Sequence, residues 1–238
     1  MRITRFLSLC GAASRRKAKD IIESGRVRVD GKIVFDLNLQ INPSRDKVSL
    51  DNEPLSIKKT RYIVLNKPTG YLCSHKDEYE RKTVYDLVGD KDLFIAGRLD
   101  INSEGLVFLS NDGDFINLLS HPSHRIIRNY RVKVRGVIDR SFLLSLKGRN
   151  KTGDDTYYVD RIANISYTKS NTWFDISLHE GKKREIRNLA LFHNMQLVRL
   201  IRLQLGPFTI HGIKRGSYVE IADERIEEIK RELLCRKD

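Results

Sequence analysis

From residue 61 onward the chain is built of short β-type runs with few helical periods between them, and that pattern excludes most fold classes. The runs lie at 62–65, 94–96, 106–109, 130–134, 157–165, 173–178 and 197–201, and helix-like periods at 114–119, 140–146, 184–192 and 223–234. A parallel sheet needs a crossover helix between each pair of strands, and strands outnumber helices here. The region therefore predicts an α+β fold, with a mixed, mainly antiparallel sheet flanked by helices.

The first part reads differently. Ile3, Phe6, Leu7 and Cys10 fall on one face of a helix that Gly11 ends. Ser14 is placed to cap a second helix, with Ala18, Ile21 and Ile22 on its apolar face and Gly25 at its stop. Val27-Arg28-Val29, Asp30-Gly31 and Lys32-Ile33-Val34 then read as two short strands around a favoured hairpin dipeptide, with a further strand at 47–50. The polar stretch at 56–60 reads as a linker, so the expected division is a helix-helix-strand unit at 1–58 and a larger domain at 59–238.

Charge narrows the partners. The 238 residues hold 44 Lys and Arg against 31 Asp and Glu, a formal charge of +13. Such a surface gains free energy on meeting a polyanion, because phosphates release their condensed counterions. No run of about 20 apolar residues is present to span a bilayer, so a membrane is not an expected partner. Residues 1–19 open basic and acid-free, as targeting segments do, yet the helical period accounts for them better. Three dispersed cysteines, Cys10, Cys73 and Cys235, suit a reducing cytoplasm rather than a disulfide framework. The six histidines show no ligand spacing, and neither a phosphate-binding glycine loop nor a nucleophile elbow occurs. Neither a metal nor a cofactor is expected.

Four blocks could carry chemistry. Phe94 to Leu109 runs strand, loop, strand, with Arg98 and Asp100 in the loop; alone, Asp100 reads more readily as a turn residue salt-bridged to Arg98 than as a catalytic group. His179 to Leu189 turns at Gly181 and enters a helix behind Lys182, Lys183 and Arg184. Cations there oppose the helix dipole, so an anion outside the helix, such as phosphate, is expected to offset them. Asn129 to Val134 alternates as a strand and in its plainest reading lies at a sheet edge. Val198 to Phe208 reads as core with surface arginines.

Together these blocks resemble the bacterial ribosomal RNA pseudouridine synthases of the RsuA/RluB type. The resemblance rests on Leu65-Asn66-Lys67-Pro68-Thr69-Gly70-Tyr71, Gly97-Arg98-Leu99-Asp100 with Gly105-Leu106, Tyr130-Arg131-Val132, Arg184-Glu185-Ile186-Arg187 and Leu200-Ile201-Arg202. The front unit resembles the S4-like RNA-binding domain of that family. Asn171 to Phe174 and Arg199 to Leu203 are most similar to the large-subunit enzymes. The resemblance implies isomerisation of a uridine in ribosomal RNA, of the 23S type, free or in a pre-ribosomal particle. It implies Asp100 as nucleophile, Arg187 as its ion-pair partner, Tyr130 against the uracil and Leu200 as an apolar wall. Arg98 would fill the place of the flipped-out nucleotide, and Lys182, Arg184 and Arg202 would bind substrate. In the front unit Arg5, Arg15, Arg16, Lys17, Arg26 and Arg28 would contact phosphate. A monomer is expected. Two rivals stand beside this reading: a non-catalytic ribosome-assembly factor on the same fold, and an N-glycosidase pairing Asp100 with Glu104.

Overall fold

The computed structural model describes residues 1–235 except 14, 76 and 154; the side chains of Arg15, Arg16 and Leu234 also lie outside the description. The described chain divides into two compact units, Met1–Thr60 and Arg61–Asp238.

The first unit holds α1 (Ile3–Leu9), α2 (Arg15–Glu23), β1 (Val27–Val29), β2 (Lys32–Ile33), β3 (Val48–Leu50) and β4 (Glu53–Pro54). The helical period predicted for α1 is what buries Ile3, Phe6, Leu7 and Cys10, against Ala18 and Ile22 of α2 and against Val27 and Val48. Asp30 and Gly31 both take positive φ, +50° and +78°, as a tight two-residue hairpin between twisted strands requires. The four strands form one sheet in the order β2-β1-β3-β4. Ser14, expected to cap α2, lies outside the described residues.

The second unit contains β5 (Tyr62–Lys67), α3 (Val84–Val88), β6 (Phe94–Ala96), β7 (Glu104–Ser110), α4 (Gly113–Ser120), β8 (Arg128–Arg135), α5 (Arg140–Ser145), β9 (Gly148–Thr152), β10 (Asp155–Val159), β11 (Arg161–Tyr167), β12 (Asn171–Leu178), α6 (Glu185–Phe192), β13 (Leu197–Leu205), β14 (Phe208–Thr209), β15 (Tyr218–Glu220) and α7 (Asp223–Cys235). The main sheet runs β11-β12-β8-β13-β7-β5-β15, with β14 beside β13 and β6 beside β7. Every ladder in it is antiparallel except β13–β7, where Ile201 faces Glu104 and Arg202 faces Gly105. The fold is α+β with a mixed, mainly antiparallel sheet.

That parallel seam joins two half-sheets with different cover. In the β5–β7 half, Tyr62, Val64, Leu106 and Phe108 pack under α4 and α7, while Ile63, Leu65, Val107 and Leu109 pack on the other side with α3. In the β8–β12 half, Val132, Val134, Phe174 and Ile176 pack under α5 and α6. β12 alternates strictly between buried and half-buried positions, the signature of a sheet with only one covered face.

Three sequence expectations are corrected. β8 lies between β12 and β13, not at an edge. The run 157–165 is two strands in different sheets, because the chain turns at Asp160 between β10 and β11. The helix expected from Arg184 begins at Glu185, since Arg184 itself takes φ +53°. α3 and β9 carry too few periodic residues to have been read from sequence.

Candidate active site

The loop between β6 and β7 presents Asp100, and buried cations hold that loop from below. Lys67 is fully buried at the end of β5, and its Nζ donates to Pro68 O at 3.0 Å and to Ile101 O at 3.4 Å. Burial lowers the Lys67 ammonium from its ordinary value. Arg202 is 1% exposed; its Nε donates to Leu106 O at 2.7 Å and its Nη2 to Gly97 O at 2.8 Å. Leu99 anchors the loop in the apolar layer beneath, and Ser103 N donates to Asp100 O at 3.0 Å. Loop carbonyls tied to desolvated cations resist displacement, because an unpaired buried charge is costly. The carboxylate therefore stands on a rigid mount.

The partners of Asp100 come from across the seam. Arg187 of α6 donates from Nε to Asp100 Oδ2 at 2.8 Å and from Nη2 to Ser103 Oγ at 2.9 Å. Arg184 Nη1 approaches the same Oδ2 at 3.4 Å. Asp100 Oδ1 accepts no hydrogen bond among the described residues. One oxygen is thus pinned and the other is open. The plain reading of Asp100 as a turn residue bridged to Arg98 is corrected: its ion pairs run to Arg187 and Arg184. Arg98 is exposed and makes no hydrogen bond or ion pair among the described residues.

Gly97, Arg98, Asp100, Tyr130, Lys182, Arg184, Arg187, Leu200 and Arg202 line one cleft. Tyr130 is half-buried and touches the apolar layers on both sides of the seam. Leu200 is buried in the cleft wall. Two of the expected substrate contacts have other work. Arg202 was read as a surface arginine and then as a substrate ligand; its guanidinium is spent on two carbonyls under the loop, so it shapes the cleft from beneath. Lys182 Nζ donates to Thr156 O at 2.5 Å and pairs with Glu180 at 3.1 Å, which draws it toward β10.

Two of the cations ahead of α6 are offset by the protein's own carboxylates, Arg184 by Asp100 and Lys182 by Glu180. Glu104 is no partner for Asp100. Strand alternation puts it on the opposite face of the sheet, where Arg199 binds it at 2.7 Å and 2.9 Å and Arg215 approaches at 3.4 Å. Those arginines hold the Glu104 carboxyl below its ordinary range. The glycosidase pairing is excluded on that geometry.

Sequence reasoning missed Lys67, Ser103, Arg128 and Glu185. A lysine closing a strand whose first four residues are apolar was the available signal for Lys67. Arg128 is 4% exposed and donates to the carbonyls of Ile126 and His179, each at 3.0 Å. Glu185 is 4% exposed; its Oε2 accepts from Lys182 N at 3.1 Å, while Oε1 is buried without a partner among the described residues. Burial, with the charge of Glu180 adding to it, pushes this carboxyl up from 4.5 to about 7. The folded state then binds a proton that the unfolded chain releases, so Glu185 favours folding below pH 4.5 and loses that contribution as pH rises toward 7. Glu185→Gln should gain on the parent by about 3 kcal/mol between pH 4.5 and pH 8. Denaturant unfolding of both proteins at the two pH values checks this, and a difference independent of pH would contradict it.

In the front unit Arg5 and Lys17 are exposed and Arg28 is half-buried, its Nη1 donating to Gly31 O at 3.0 Å. Arg26 is exposed but bound to Asp51 through both Nε and Nη2, so its charge is already paired.

Comparison with known proteins accords with this architecture. Residues 61–192 match the family described as RNA pseudouridylate synthase, and residues 1–46 match the S4 domain. The chain is 34% identical over 232 residues to an uncharacterized RNA pseudouridine synthase of Aquifex aeolicus (strain VF5), covering 96% of this chain and 93% of that one. It is 36% identical over 235 residues to an uncharacterized RNA pseudouridine synthase of Rickettsia felis (strain ATCC VR-1525 / URRWXCal2), covering 95% and 99%. A crystal structure of a pseudouridylate synthase shares the fold with a TM-score of 0.62 at 22% identity, covering 96% of this chain and 99% of that one. The chain belongs to the RNA pseudouridine synthase family: an S4 domain followed by an isomerase domain that converts uridine in RNA to pseudouridine.

Proposed function

We propose that Asp100 is the nucleophile of this isomerisation and that the substrate is ribosomal RNA of the large subunit, met free or in a pre-ribosomal particle in the cytoplasm by a monomeric enzyme. The observation that carries the first part is the asymmetric environment of Asp100: one oxygen held by Arg187, the other open to a cleft shared with Tyr130 and Leu200. Isomerisation breaks N1–C1′, turns the uracil and joins C5 to C1′; C5 loses its proton and N1 gains one, so no atom is lost overall. Attack at C1′ and removal of a ribose proton are alternative first steps, and both require a charged carboxylate beside the sugar. Arg187 fixes the rotamer through its 2.8 Å bond to Oδ2.

Tyr130 offers a ring face to the uracil and a hydroxyl for the departing C5 proton. Leu200 keeps water from the glycosyl intermediate. The target nucleotide must leave its stack to reach Asp100, at a cost of a few kcal/mol. Arg98, exposed and uncommitted, suits the vacated space, since a planar guanidinium stacks and binds phosphate at once. Arg184, exposed at the cleft, would meet the target's phosphate. Arg5, Lys17 and Arg28 would add a second grip in the S4 domain and raise the effective concentration of RNA at the cleft. Arg15 and Arg16 were expected to contribute too, and their side chains lie outside the described residues. The large-subunit assignment rests on the resemblance of residues 171–174 and 199–203 to enzymes of that kind.

Chemical mapping of pseudouridine in both ribosomal RNAs tests this, comparing cells with and without the gene and cells complemented with the parent or Asp100→Asn. The expected result is one large-subunit site that is lost with the gene and restored by the parent alone. Loss of a small-subunit site instead would reject the substrate assignment. Restoration by the variant would reject the nucleophile.

A further inference from the structure

Among the described residues no helix covers the sheet face opposite α5 and α6 on β11, β12, β8 and β13; the segment at 209–211 borders it at the Asn129 end, and nothing in the reaction above uses it. Its composition is unusual for a solvated surface. β8 is a central strand, yet Arg131, Lys133 and Arg135 repeat along this face at every second residue, roughly 7 Å apart along the strand. Like charges at that spacing repel, and a sheet gains nothing from them on its own. Across the ladders, Lys133 faces Trp173 and Arg199, Arg131 faces Asp175, and Arg161 faces Ser177.

Among the described residues two carboxylates reach this face, and both are taken. Asp175 is bound by Arg131 at 2.5 Å and 3.2 Å, and Glu104 by Arg199. Lys133, Arg135 and Arg161 have no acidic partner among the described residues. Lys133 Nζ lies 5.4 Å from the centre of the Trp173 ring, which is half-exposed in the middle of the cations. Beside Arg161, the side-chain oxygen of Asn129 is buried without a partner in a recess shared with Gln204 and His211.

We propose that this bare face is a second RNA-contacting surface, which holds a strand of the RNA outside the target nucleotide through Lys133, Arg135 and Arg161, with Trp173 as a base-stacking platform. Surplus cations interleaved with an aromatic ring fit a single strand, where phosphates meet the charges and a base meets the ring. A protein partner would call for an apolar centre, and the centre of this face is charged. The proposal needs only the RNA activity of the family, so it stands or falls independently of the role of Asp100 and of the ribosomal target.

Trp173 is the chain's sole tryptophan, so intrinsic fluorescence reports on this face directly. The probe is a 30-nucleotide single-stranded RNA, added to Asp100→Asn protein so that no turnover occurs. Its emission should change on titration and saturate at the Kd found by filter binding. A Lys133→Glu/Arg135→Glu/Arg161→Glu variant on the same background should bind at least about 10-fold more weakly at 0.1 M salt. The slope of log K against log salt should fall by about 2, as loss of three phosphate contacts on a single strand requires. The corresponding triple Gln variant, which adds no negative charge, should show the same fall in slope. Circular dichroism and melting identify any variant that fails to fold, and the Gln variant then carries the test. An unchanged slope overturns the proposal whichever way the emission moves, and so does saturated RNA binding with unchanged Trp173 emission.

Discussion

Asp100→Asn should bind RNA at least as well as the parent and isomerise it on the order of 10^4-fold more slowly, or not at all. The substitution keeps shape and volume. The amide oxygen can still accept from Arg187 Nε, which donates to Asp100 Oδ2 at 2.8 Å, so the mount and the cleft should survive. What disappears is the negative charge. A neutral amide can neither attack C1′ nor take a ribose proton at neutral pH. The loss also leaves Arg184 and Arg187 unneutralised at the mouth of the cleft, which favours phosphate and should hold affinity level or tighten it. Single-turnover rates with excess enzyme, read beside filter binding on the same RNA, separate the two effects. Parental turnover in the variant would remove Asp100 from the chemistry, and loss of both binding and turnover would mark it as structural.

Gly105→Ala should be the most damaging small substitution in the catalytic domain, at about 4 kcal/mol or more. Gly105 has φ +103°, and a Cβ there would lie 2.2 Å from the backbone oxygen of Arg202 and 2.7 Å from its nitrogen. The obstacle is backbone on the neighbouring strand, so no side chain can swing aside. β7 and β13 must part, and with them the two paired positions that join the half-sheets. Relief would also pull Arg202 from the carbonyls of Gly97 and Leu106, which it binds at 2.8 Å and 2.7 Å. Thermal and denaturant unfolding measure the effect. A variant within 1 kcal/mol of the parent would show that the close approach at the seam is not tight.

How much of this was legible beforehand depends on how local each cause is. α1 and the first hairpin follow from residues within a turn or two of each other, and Ile3, Phe6 and Leu7 are buried where the helical period puts them. The separate conversation between residues 100 and 187 is not local: it spans 87 positions. It was reached through resemblance of motifs, since no periodicity links a loop to a distant helix. Arg202 shows the limit of that route. A motif names a residue without saying which way it points, and the side chain turns under the loop to bind two carbonyls. Glu185 and Lys67 escaped notice for a related reason. Their significance is burial, and burial depends on which elements cover them. Position in the sheet was equally hidden for β8, because alternation looks the same in an edge strand and in a central strand with one bare face.

The seam has one more consequence. Asp100 rides on the amino-side half-sheet, while Tyr130, Arg187 and Leu200 ride on the other, and backbone pairing joins the halves at two positions. A parting of a few tenths of an ångström there would cost little of the packing that each half keeps under its own helices. The same parting lengthens the 2.8 Å contact between Arg187 and Asp100 directly. With Asp100 as the nucleophile proposed above, turnover is a finer gauge of sheet closure than melting, and mild heat, dilute denaturant or a distant core mutation should silence the enzyme while its spectrum still reads as native.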